Sequence, residues 1–267
     1  TAYEISCSLV GSEMCIRDRY MTDFERTISC MTICPQGVNC LEEDIPSIHK
    51  YKQFFSQLKE TLRRPDAYAV IESDMLLLEH FQFDNTRTTK KGSEQHKVAA
   101  KSEQEFKKKL VKDGDFAVLD EDVKKKGIYY VENFLAQFIS HYDKIDDYKT
   151  EMQKELKKDF KNIYMGFLIE DASPLGSLYL NNNHKMCCLD LLQTKEFLDI
   201  FEQSSKLDFA LFSMTGNADN LYQSYISRRS IGERRKNEII AKNIPSFLFE
   251  HSFVASGLIE IQKNKKP

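Results

Sequence analysis

The sequence has no apolar run near the roughly 18 residues that a membrane-crossing helix needs. It also has no internal repeat of the kind that marks solenoids or propellers. Tryptophan is absent, yet 18 Phe and 12 Tyr supply ample core material, so a disordered chain is excluded. No glycine-rich phosphate loop of either nucleotide-binding type is present, nor a G-x-S-x-G elbow, nor H-E-x-x-H. The six histidines (His49, His80, His96, His141, His184, His251) are scattered. These absences argue against kinase, dinucleotide oxidoreductase and serine-hydrolase chemistry. No helix-turn-helix, RNP or zinc-finger signature accompanies the basic residues. The formal net charge of -3 leaves local charge patches to decide which polyanions bind.

Cysteine usage is uneven. Leu9 to Asp18 resembles the in-frame translation of a sequencing-library transposon adapter. Residues 1–20 are therefore expected to be a non-native tail, with Met21 the expected start, and are set aside from fold reasoning. That leaves Cys30, Cys34, Cys40, Cys187 and Cys188. An odd number without paired C-x-x-C turns, and with no signal peptide, reads as reduced thiols in a soluble, cytoplasmic protein. The pair Cys187-Cys188 is expected in or beside a strand.

Residues 21–267 suit a single domain with a sizeable core. Ile48, Tyr51, Phe54, Phe55, Leu58 and Leu62 recur at helical spacing, predicting a helix from Ile45 to Leu62 with Pro46 in its first turn. Ala67 to Ile71 and Met75 to Phe83 read as a hairpin across Glu72-Ser73-Asp74. Helices are expected at Glu94–Leu110, Tyr129–Tyr142, Asp147–Phe160 and Leu191–Gln203, with a loop at 113–127. The Asp147–Phe160 helix is expected to face solvent on most sides. Ile163–Ile169 and Leu207–Met214 read as strands, and Ser224–Lys242 as a basic helix. Phe247 to Phe253 reads as a last strand or short helix. The alternation predicts an α/β or α+β domain: a mixed sheet flanked by helices, with a charged helical insertion at about 94–160.

The residues that carry chemistry cluster early. Arg64-Pro65-Asp66 precedes the first long strand, and the second carries Glu79-His80-Phe81-Gln82-Phe83-Asp84. A leading helix, then Pro65-Asp66, then an apolar strand with Glu79, resembles the PD-(D/E)XK nuclease superfamily over residues 45–110. The resemblance implies a restriction-endonuclease-like fold and magnesium-dependent phosphodiester cleavage of DNA or RNA. Asp66 and Glu79 would hold the metal, and Glu60 would be a supporting carboxylate. The chain departs from that pattern at Phe81, where the family carries lysine. Lys90, Lys91 or Lys97 would have to replace it; otherwise the domain is an inactive one that binds a protein or nucleic-acid partner.

Strand alternation places Glu79 with Phe81 and Phe83, and His80 with Gln82 and Asp84. A carboxylate facing two phenylalanines costs several kcal/mol unless it is paired or metal-bound. His80 and Asp84 form a second constellation, either as metal ligands or with Asp84 orienting His80 as a base. Glu170-Asp171 closes another strand, as part of a sheet-edge site or, more simply, as a turn cap. Phosphate contacts are expected from Arg87, with Lys90 and Lys91, and from Arg228, Arg229, Arg234, Arg235 and Lys236.

Overall fold

The computed structural model describes residues 38–61, 64–89, 92–93, 127–173, 178–180, 186–214 and 222–244. The tail at 1–20, Cys30, Cys34, Lys90, Lys91, Lys97 and the elements expected at 94–110, 113–126 and 247–253 lie outside the described residues.

Helix α1 (Ile45–Phe55) begins with Pro46 in its first turn and turns Ile48, Tyr51, Phe54 and Phe55 inward. It stops about two turns before the expected Leu62. Lys59–Glu60 (β1) is extended instead and pairs with β2 (Ala67–Ile71). Glu60 is therefore an exposed edge-strand residue, and the expectation that it sits on the helix is corrected. β2 runs into β3 (Asp74–Phe83) through a tight turn in which Glu72 takes φ 52°, a conformation that closes hairpins with the strands' own twist.

β3 is followed in space, though not in sequence, by β6 (Asn162–Asp171), which lies parallel to it in register from Asp74↔Asn162 to Phe83↔Asp171. Two short antiparallel ladders stand apart from the main sheet: β4 (Thr88–Thr89) with β5 (Gly92–Ser93), and β7 (Leu178–Leu180) with β8 (Met186–Cys188). β9 (Phe209–Met214) continues the parallel set beside β6, and β10 (Tyr222–Ser227) closes the edge antiparallel to β9. The main sheet thus has six strands in the order β1-β2-β3-β6-β9-β10, three parallel at the centre and antiparallel at both sides. The class is α/β with a mixed sheet flanked by helices.

Parallel neighbours need a long crossover. Helices α2 (Gly127–Tyr142) and α3 (Ile145–Leu156) lie within the β3-to-β6 connection. They are core elements. Tyr130, Phe134 and Phe138 of α2, and Ile145, Tyr148 and Met152 of α3, pack on Phe81, Phe83, Met165, Phe167 and Ile169. α3 thus gives the core one stripe (Ile145, Tyr148, Met152) and leaves its other sides exposed or half-buried, as its charged sequence leads one to expect. Helix α4 (Lys195–Gln203) adds Phe197 and Phe201 to the same layer. Its N-cap, Thr194, accepts from the Phe197 N–H and divides the expected 191–203 helix into a short 3-10 turn and α4. The opposite face of the sheet (Leu76, Leu78, Leu168, Phe209, Leu211) is covered by α1.

The basic helix expected over 224–242 does not form. The segment contains β10, a five-residue helix α5 (Ile231–Arg235) and a 3-10 turn at Ala241–Asn243. Tyr225 and Ile226 are buried on opposite faces, and β10 is claimed by β9 on one side and by Asn39 on the other. Two-sided pairing overrides local propensity here.

Candidate functional site

β2 and β3 position the acidic pair. Ala67 pairs with Leu78, so Asp66 and Glu79 stand opposite each other one step further on. Glu79 shares its face with Leu77 and Phe81 and points into the layer formed by α2 and α3, as the alternation requires. It is 0% exposed. Three donors meet its Oε1. The His141 Nδ1 lies at 2.7 Å, the Tyr148 hydroxyl donates at 3.1 Å and the Arg64 Nη1 at 3.1 Å. His141 lies in the last turn of α2 and Tyr148 in the first turn of α3, so the bend between those helices turns both side chains onto one carboxylate.

Arg64 Nη1 also lies 3.2 Å from His141 Nδ1. One ring nitrogen cannot donate to Glu79 and accept from Arg64. The carboxylate is acceptor-only and closer, so Nδ1 carries the proton, and the two nitrogens converge on one oxygen as fellow donors. Burial, with the Glu79 charge adding to it, pushes the Tyr148 hydroxyl up to about 12, so it stays a donor. The other oxygen, Glu79 Oε2, is buried and has no hydrogen-bond partner among the described residues.

Asp66 lies at the surface beside this network. Its Oδ2 accepts from the His80 backbone N–H at 2.7 Å. Although the residue is open to solvent, crowding of its carboxylate raises its pKa, and the Glu79 charge raises it further. The hydrogen bond from His80 and the nearby Arg64 charge oppose that rise.

Position 81 is a core position. Phe81 is buried and stacks on the His141 ring at 4.9 Å, with 20° between the planes. It holds the histidine against Glu79 and places no ammonium in the site.

The second constellation is rearranged. His80 Nε2 lies 2.9 Å from Glu170 Oε2, and Gln82 Nε2 donates to the same oxygen at 2.6 Å. Asp84 is buried just past β3, where its Oδ1 accepts from the Thr86 N–H at 2.8 Å and the Thr86 hydroxyl at 2.5 Å. The expected His80–Asp84 partnership is therefore corrected: Asp84 fixes a turn, and Glu170 is the partner of His80. Asp171 does act as a turn cap, accepting from the Ser173 N–H at 2.9 Å. Among the described residues, no cluster of three or more His, Cys, Asp or Glu has the geometry to hold a metal ion.

The basic residues separate into two sets. Arg87 and Arg229 are exposed. Arg228 is turned onto the carbonyls of Leu207, Glu202 and Ser204, and stacks over Phe201. Arg234 is 3% exposed; its Nη2 donates to the Tyr225 carbonyl at 2.6 Å, between Asp44 and Asp190. Arg235 bridges Asp199, Glu202 and Glu238, and Lys236 pairs with Glu233. The expectation that Arg228 and Arg234 present a phosphate surface is corrected: both guanidiniums are turned onto internal partners.

Sequence reading missed Arg64, His141 and Tyr148 as partners of Glu79. One signal was present. His141 falls three residues after Phe138 and seven after Phe134, on the apolar stripe of α2, where a histidine needs a polar partner. Among the described residues no helix is long and apolar enough to cross a membrane. No family model, curated protein or solved structure matches the chain.

Proposed function

We propose that this chain is a metal-dependent phosphodiesterase acting on nucleic acid, built on a restriction-endonuclease-like sheet, with Asp66 and Glu79 as the magnesium-holding carboxylates. The observation that carries the reading is Glu79 Oε2: a buried carboxylate oxygen without a hydrogen-bond partner among the described residues, on a residue that stands opposite Asp66 in the strand pair. Magnesium is commonly held by one or two carboxylates, with water and substrate phosphate completing its shell. Two protein carboxylates therefore fit it, even though no third ligand is described. When bound, the cation would supply Lewis acidity toward a phosphoryl oxygen.

The protein's own part is orientation. Arg64, His141 and Tyr148 fix Oε1 and leave Oε2 for the cation. Water would add to phosphorus, one P–O ester bond would break, and the leaving oxygen would take up a proton. With Phe81 in place of lysine, Lys90, Lys91 or Lys97 would have to activate that water.

One observation favours a second reading. Phe81 is locked into the core against His141, as it would be in a non-catalytic domain that binds a protein or nucleic-acid partner. The deciding experiment incubates the protein with plasmid, single-stranded DNA and RNA in Mg²⁺, Mn²⁺ or EDTA, beside an Asp66→Asn, Glu79→Gln double variant. Metal-dependent cleavage that the variant lacks is the expected result. No cleavage from folded protein in either metal would transfer the function to the binding reading.

A further inference from the structure

Arg64 is the one member of the Glu79 network that faces solvent, its side chain 51% exposed above a carboxylate that is 0% exposed. Only its Nη1 is engaged, by Glu79, Tyr148 and the approach of His141. Its Nε and Nη2 have no protein partner among the described residues. A guanidinium pinned through one nitrogen keeps its planar fork in a fixed direction. Such a fork matches the paired oxygens of a phosphodiester and loses less freedom on binding than a mobile lysine.

We propose that the open edge of Arg64 is the anchor for a nucleic-acid phosphodiester beside the Asp66–Glu79 pair. The identity of the anion rests on the phosphodiesterase reading; the anchoring role rests on Arg64's own geometry. Asp66 adjoins this edge, close enough that the Arg64 charge acts on its carboxylate. An ionised Asp66 repels an incoming phosphate, and a divalent cation on the pair converts that repulsion into attraction. Binding at Arg64 is thus stronger with magnesium than with EDTA.

Among the described residues, Arg228 and Arg234 are turned onto internal partners, Arg235 and Lys236 are paired with surface carboxylates, and Arg64 joins an exposed donor edge to the acidic pair.

The test is fluorescence anisotropy of short labelled DNA and RNA oligonucleotides with the full chain, in Mg²⁺ and in EDTA, across a salt series, with gels confirming intact probe. Arg64→Gln and Arg64→Lys are compared with the wild type. Glu79 keeps His141 and Tyr148 in both variants, and circular dichroism checks that each folds. Arg64→Gln is expected to weaken binding about ten-fold and to flatten the salt dependence by about one ion. Arg64→Lys keeps the charge and loses the fork. It is expected to weaken binding about three-fold with the salt dependence unchanged, so it carries the test should Arg64→Gln fail to fold. The DNA and RNA arms identify which polymer supplies the phosphodiester. Wild-type affinity and salt dependence in both variants, or no binding by the wild-type chain, overturns the proposal. Arg64-dependent binding without cleavage in Mg²⁺ or Mn²⁺ supports the anchor and removes the phosphodiesterase. Cleavage with Arg64-independent binding does the reverse.

Discussion

Glu79 uses its two oxygens unequally. Among the described residues, Oε1 takes three donors and Oε2 takes none. Its facing neighbour Asp66 adds a second negative charge, and the consequence for stability has a definite sign. The folded-state pKa of Asp66 lies above its usual 3.8, so ionising it opposes folding. The chain is best off, as far as this group is concerned, below the ordinary carboxylate range, and loses stability as pH rises through the raised value. Asp66→Asn is therefore expected to raise the melting temperature near pH 7 and to change nothing near pH 3. The effect is small because Asp66 is open to solvent. Magnesium should reverse the order, since a cation favours the ionised form that asparagine cannot supply. Thermal melts across pH, with and without magnesium, check all three arms. At this scale the inward phase of Glu79 was legible from alternation alone. Its partners were not: His141 and Tyr148 lie 62 and 69 residues away, and only the crossover helices bring them back.

The central strands leave little room between elements. β6 carries Gly166 where the Phe209 ring of β9 lies close, and a Cβ there would overlap the ring's Cζ, Cε2 and Cε1 atoms. Phe209 cannot step aside, because Tyr51 and Tyr225 pack on it with ring centroids at 4.7 and 5.4 Å. Gly166→Ala is expected to cost about 3 kcal/mol, at the upper end of overpacking effects. Urea unfolding measures it, and a cost under about 1 kcal/mol would contradict this packing. Elements were read well where periodicity was strong, as in β2, β3, α2 and the start of α1. They were misread where tertiary pairing decides, as at β10, whose Tyr225 and Ile226 carry a strand pattern that the basic residues after it obscured.

Across the whole molecule, one buried arginine ties distant segments together. Arg234 lies between Asp44, which accepts from the Ser227 N–H and hydroxyl at 2.7 Å each, and Asp190, which accepts from the Ser224 hydroxyl at 2.7 Å. The stretch before α1, the turn before α4 and the edge strand β10 meet there. Arg234→Ala strands two buried carboxylates and is expected to cost about 3–5 kcal/mol. Urea unfolding followed by circular dichroism should show one cooperative loss. In sequence, Arg234 was indistinguishable from its exposed neighbours, because nothing local separates a basic residue that pins a core from one that meets phosphate.

A divalent cation held by Asp66 and Glu79 underlies the proposed chemistry. Titration of Mn²⁺ into the protein, followed by the loss of the free-ion electron paramagnetic resonance signal, tests that claim most directly. One bound Mn²⁺ per chain is predicted, displaced by Mg²⁺ and abolished in the Asp66→Asn, Glu79→Gln double variant. Wild-type protein that takes up no Mn²⁺, or a variant that takes up as much as the wild type, would contradict it.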